Sequence, residues 1–177
     1  MSQTSIYFTA YDNAIGFANA FRLLSGRTSL SALSLSQSYS DFSMVMPTIV
    51  NGAFACELFL KALLTDPPQR GKEAHSIVSL IDIYDKEKRG AKEYIREACI
   101  KGLQNKLMDN SYSRSKYERD LSAIDKAFVI LRYWHDPIKS HEDPRYNNGF
   151  NLDFLDVLVT VLQYECEKGF GKRPINQ

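Results

Sequence analysis

The sequence predicts an all-α protein, an up-and-down helical bundle of four long helices plus one or two short ones, and three observations predict it. Apolar residues return at steps of three and four through most of the chain, which is the period of a helix with one buried face. No strand-like alternation finds a partner run across a hairpin turn. The periodic segments are punctuated by serine, glycine and proline at 25–27, 66–68, 137 and 149, where a helix cannot easily continue.

With 177 residues the chain falls within the roughly 100–200 residues usual for one domain, so a single helical domain over 1–177 is expected. Hydrophobic residues make up 44% and charged residues 24%, a balance that supplies a core and excludes a disordered chain. Lysine plus arginine number 22 against 21 acids, so the net charge of +1 excludes a globally basic polyanion binder and leaves only local patches. Cys56, Cys99 and Cys166 are far apart in sequence, and each falls inside a helical pattern, which reads as three buried, reduced thiols.

The first helix follows from the stripe Tyr7, Tyr11, Ala14, Ala18, Phe21, Leu24, stopped by "SGR" at 25–27. The segment 25–43 has serine at almost every second residue and reads as a loop or a short irregular helix. A second helix is expected to start at a cap supplied by Asp41 or Ser43, with Pro47 in its first turns or at a kink. Its stripe Val45, Ile49, Gly52, Cys56, Phe59, Leu63 is joined by a second apolar edge, Phe54, Ala55, Leu58, Ala62, so this helix should be central. It ends before "DPP" at 66–68.

A polar loop, "QRGKEAHS", then delivers His75 ahead of a short helix over 77–84. Residues 88–107 are amphipathic through Ala91, Ile95, Ala98 or Cys99, and Leu103. "MDNSYSRSKYERD" reads as a polar connection, followed by a helix carrying Leu121, Ile124, Phe128, Leu131 and His135 on one line and ended by Pro137. A loop with an Asn148-Gly149 turn leads to the last helix, whose stripe is Leu152, Leu155, Val159, Leu162, Cys166.

Glu57 and Lys61 are the only charges in "NGAFACELFLKALL", at the i, i+4 spacing of a helix ion pair. On so apolar a helix the pair is expected to be partly buried, where it needs further partners, with His75 and Arg132 as the candidates. Arg132 has a plainer alternative in a bridge to Asp136 or Asp125. His75 reads either as a residue that caps or orients the following short helix or as one that meets a substrate. Lys86, Lys88, Arg89, Lys92, Arg96 and Lys101 form the densest basic run, either a solvated face or a shallow phosphate-binding one. Dispersed glycines, and the lack of paired histidines, paired cysteines or an acidic loop, lead to the expectation of no cofactor and no metal. The start "MSQTSIYFTAYD" carries no basic leader, and the uncharged run "FSMVMPTIVNGAFAC" is short for a bilayer, so a cytoplasmic protein without a membrane partner is expected.

Three blocks in this order, "NGAFACELFLKALL", "GKEAHSIVSLIDIYD" and "AFVILRYWHD", resemble the HEPN superfamily, the small helical domains named for nucleotide binding in higher eukaryotes and prokaryotes. The resemblance runs from residue 43 to residue 136. It implies a bundle that pairs as a homodimer or with a protein partner encoded nearby, often in phage defence, toxin and antitoxin, or stress systems. It also implies RNA or a nucleotide as ligand and, in active members, metal-independent endoribonuclease activity. Those members carry an arginine, four to six residues, and then a histidine. Here Arg132 is followed by His135 after two residues and by His141 after eight.

Two functions therefore stand side by side. One is a ribonuclease with Arg132, His135 and His141 as catalytic candidates and Glu57, Lys61, His75 and Tyr133 as substrate-binding or orienting residues. The other is a catalytically inactive HEPN-like binding or assembly module acting through a protein partner. His135 and Tyr133 also have plain packing roles open to them, His135 because it shares the stripe of Leu131 and Phe128.

Overall fold

A computed structural model describes residues 3–26, 39–125 and 150–170, and among them the backbone is helical with no strand. The elements are α1 (Gln3–Ser25), α2 (Tyr39–Leu63), a 3₁₀ turn (Lys72–Ala74), α3 (Ile77–Glu87), α4 (Ala91–Leu107), α5 (Arg114–Asp125) and α6 (Leu152–Phe170). The all-α prediction holds for these residues. The serine-rich 27–38 and the segment 126–149, which includes the Asn148-Gly149 turn and residues 128–135 of the expected helix, lie outside the described residues.

The core is assembled around α2, which packs on α1, α3, α5 and α6. Its stripe residues Ile49, Cys56 and Phe59 are fully or almost fully buried, and so are Ala53, Ala55, Leu60 and Ala62. Both apolar edges read from the sequence are thus in use, as a central helix requires. Residues Met46–Leu63 are also long and apolar enough to cross a membrane by length and composition, since Glu57 and Lys61 are their only charges; over half of that window is buried inside the fold.

Contacts between side chains give the helix directions. Tyr11 meets Phe59 with ring centroids 6.0 Å apart and Phe17 meets Phe54 edge-on at 4.8 Å, so α1 runs antiparallel to α2. Gly52 faces Leu155 while Cys166 Sγ donates to the Phe59 carbonyl at 3.4 Å, so α6 runs parallel to α2. Lys106 reaches Asp153 and Asp156 at one end and Tyr94 reaches Lys168 at the other, which sets α4 antiparallel to α6.

Gly52 is where three helices come closest. A Cβ placed there would lie 2.6 Å from Leu155 Cδ2 and 2.9 Å from Phe21 Cδ2, and both of those side chains are buried. Gly52 therefore occupies the stripe because its lack of a side chain lets α1 and α6 close on α2.

The starts of the later helices are made by side chains from other elements. Ser76 caps α3, its Oγ accepting from Ser79 N at 3.0 Å while donating to Asp125 Oδ1 at 2.9 Å. Asp125 also accepts from Val78 N at 3.0 Å, placing a carboxylate at the positive end of α3. Asp85 on α3 accepts from Lys92 N at 2.9 Å in the first turn of α4, and Asn151 Oδ1 accepts from Phe154 N at 3.0 Å at the start of α6.

Several boundaries and one cap differ from expectation, among them the start of α4, which lies at Ala91 and not at 88. α2 begins at Tyr39, upstream of Asp41 and Ser43, so neither caps it, and Pro47 lies inside the helix. Intrinsic propensity differs by only a few tenths of a kcal/mol among such residues, too little to fix a boundary by itself. α3 continues to Glu87, three residues past the expected end. Within the expected polar connection, residues from Arg114 onward are helical. There Tyr117 is buried and packs edge-on against Phe154 at 5.6 Å, extending the Leu121, Ile124 stripe one turn upstream, while Arg114 and Glu118 pair at i, i+4. Ser76 rather than His75 caps α3, because the serine hydroxyl alone can accept the Ser79 amide from the residue next to the helix.

α4 ends on Met108, which adopts left-handed φ 50 and ψ 34 while Asp109 N donates to Gln104 O at 3.1 Å. That is a glycine-favouring closure occupied by a residue 95% exposed. Met108→Gly is expected to raise stability by about 0.5–1 kcal/mol, since the left-handed conformation then costs nothing sterically and no packing is lost. Gly52→Ala is expected to lower it by about 1–2 kcal/mol, the gain in helix propensity being outweighed by overpacking against Leu155 and Phe21. Urea midpoints of the two variants against the parent chain check both signs.

Candidate functional site

Glu57 sits on α2 nearly two turns before its end at Leu63, is 2% exposed, and faces the loop that joins α2 to α3. Lys61, one turn on, donates to Glu57 Oε1 at 2.7 Å. His75 Nδ1 lies 3.1 Å from the same oxygen. Glu57 Oε2 is buried with no hydrogen-bond partner among the described residues. The ion pair expected from the spacing is present, and of the two further partners named for it His75 is the one the described residues supply.

The loop is built to hold His75 there. Gly71 takes φ 88, the 3₁₀ turn Lys72–Ala74 follows, and Ala74 is fully buried. On the other side Ser76 is fixed by Asp125 and by the first turn of α3. His75 is thus clamped between two anchored neighbours, with its side chain 60% exposed while Glu57 is enclosed. The arrangement places an imidazole at the surface with its ring tied to an enclosed acid, and Lys61 gives the same acid a cation.

Arg132, Tyr133, His135 and His141 lie outside the described residues. Asp125, one alternative bridge for Arg132, is engaged with Ser76 and Val78. Among the described residues no group of three or more histidine, cysteine or acidic side chains is arranged to hold a metal ion. The three cysteines are free and buried, and burial pushes the Cys99 thiol up to about 12 and the Cys56 thiol well above its ordinary value.

The basic run divides in the structure. Lys88 pairs with Glu165 at 2.9 Å, Lys92 with Asp82 at 2.6 Å, and Arg96 with Glu93. Lys86, Arg89 and Lys101 are exposed. Half of the run is therefore already matched to carboxylates, which favours the solvated-face reading over a continuous phosphate surface.

Two buried acids escaped the sequence reading. Asp120 on α5 accepts from Tyr112 Oη at 2.9 Å, Asn151 Nδ2 at 2.7 Å and Arg119 Nε at 2.9 Å, tying the α4–α5 loop to the start of α6. Burial first, and then the bond to Asp120, raise the Tyr112 phenol, so it stays protonated and donates. Glu165 on α6 is buried and accepts from Lys88 at 2.9 Å and Lys168 at 3.2 Å; the Lys168 ammonium also lies over the rings of Tyr94 and Tyr164. The available signal was position: each acid lies one residue from a stripe residue, Leu121 or Cys166, on the edge of a buried face.

No protein-family model matches the chain, and no characterised protein or solved structure is significantly similar to it.

Burial works to raise the Glu165 carboxyl, but hydrogen bonds and charge from Lys88 and Lys168 outweigh it and hold the group below its ordinary value of 4.5. A carboxyl lowered in the folded state adds stability that is present above 4.5 and is lost as pH falls through the lower folded value. Glu165→Gln is therefore expected to melt below the parent chain near neutrality, with the gap closing as pH falls below that value. Thermal melts of both proteins from about pH 7 to about pH 3 check it.

Proposed function

We propose that this chain is a HEPN-like helical bundle with an RNA-related role, and that it acts as a metal-independent endoribonuclease in defence or stress response. The observation that carries the reading is Glu57: an acid enclosed in the central apolar helix, one oxygen engaged by Lys61 and His75 and the other unpartnered. Burying a carboxylate without full pairing costs stability, and such groups concentrate at working sites. The three sequence blocks of the resemblance meet this observation in part, since the first supplies Glu57 and Lys61 and the second supplies His75.

In this reading Arg132 stabilises charge on the phosphorane, and His135 or His141 moves the proton of the leaving oxygen. Two copies pair and set two such sites across one cleft. Three free buried cysteines suit a reducing cytoplasm. The second reading, an inactive binding module with a protein partner, is favoured by one observation, the Arg132 to His135 and His141 separations that depart from the active pattern.

Purified protein incubated with single-stranded and structured RNA in excess chelator separates the two. Cleavage is expected, and Arg132→Ala is expected to lower its rate about a hundredfold or more. RNA left intact by the parent chain rejects the ribonuclease and leaves the binding module.

A further inference from the structure

We infer that Glu57 and His75 form a proton-transfer pair in which the imidazole Nε2 is the base that deprotonates a ribose 2′-hydroxyl. The assignment of the substrate rests on the ribonuclease reading; the assignment of the pair rests on geometry alone. Neither histidine of the 135–141 region is needed for it.

An ionised carboxylate only accepts hydrogen bonds, so the 3.1 Å contact with Glu57 Oε1 places a proton on His75 Nδ1. In the neutral ring the other nitrogen then carries the lone pair. Nδ1 is turned inward to an acid that is 2% exposed, while the side chain as a whole is 60% exposed, so the free nitrogen belongs to the solvent side. The backbone on both sides of His75 is anchored, by buried Ala74 before it and by Ser76, held on Asp125, after it. Lys61 donates to the same Oε1 at 2.7 Å and holds the carboxylate turned toward the ring. An acid that fixes the tautomer of a surface imidazole is the arrangement a general base requires.

The step balances without a co-reactant. The Nε2 lone pair takes the 2′-hydroxyl proton, and the oxygen's electron pair forms a bond to the adjacent phosphorus. The bond from phosphorus to the 5′ oxygen breaks with its pair leaving on that oxygen. The leaving oxygen gains a proton and the imidazolium gives its own up, the net exchange running through water, to leave a 2′,3′-cyclic phosphate and a 5′-hydroxyl.

Two measurements test this on the full chain. Nitrogen-15 spectra of the histidine ring, with His75 identified by its loss in His75→Ala, are expected to show the Nδ1–H tautomer in the parent chain and a mixture in Glu57→Gln. An Nε2–H tautomer in the parent chain overturns the pair. In chelator, His75→Ala is expected to lower RNA cleavage about a hundredfold or more, with free imidazole restoring part of it, while circular dichroism stays unchanged. Full activity in His75→Ala, or loss that imidazole does not restore, overturns His75 as the base even where the ribonuclease reading stands. RNA left intact by the parent chain overturns the ribose hydroxyl as the proton donor, and the nitrogen spectra then decide the pair by themselves.

Discussion

The burial of α2 on nearly all sides is the constraint from which the other helices take their places. Gly52 lets α1 and α6 approach it from two directions at once, and Phe59 and Leu60 fill the space lower down without exposure. Burying side chains of that size contributes about 1.5–3 kcal/mol each, so a run of them outweighs local preferences at the ends of the surrounding helices. Pro47 is carried inside α2 on the same account. One missing amide bond, about 3 kcal/mol with its steric cost, is offset by the packing of the helix from Thr48 onward.

Around this apolar axis three acids, Asp120 and Glu165 buried and Asp125 half-buried, act as joints. Asp125 ties the start of α3 to α5, Asp120 ties the α4–α5 loop to α6, and Glu165 ties α6 to Lys88 at the α3–α4 turn. Asp120 and Glu165 each take donors from more than one element, which converts a polar group that would be costly in the core into a specifier of helix position. Glu57 differs from the rest. Its Oε1 is shared by Lys61 and a surface histidine, and its Oε2 is buried without a hydrogen-bond partner among the described residues. Among the described residues no oxygen of Asp120, Asp125 or Glu165 is buried without a partner in that way.

The sequence alone was enough for the helical class, the central position of the second helix, the Glu57–Lys61 pair and the buried stripe of the last helix, because all four follow from spacings of three and four along a single segment. Such spacings are a local property: the backbone period brings these residues to one face whatever else the chain does. Only the tertiary structure decided that His75 turns to Glu57 and leaves the cap of α3 to Ser76, that Tyr117 extends α5 into a stretch of polar composition, and that Asp120 and Glu165 are buried. These depend on groups from separate helices meeting in space, 18 residues apart for His75 and Glu57 and 77 for Lys88 and Glu165. No period within one segment records such a meeting, because the free energy that selects it comes from desolvating both partners together.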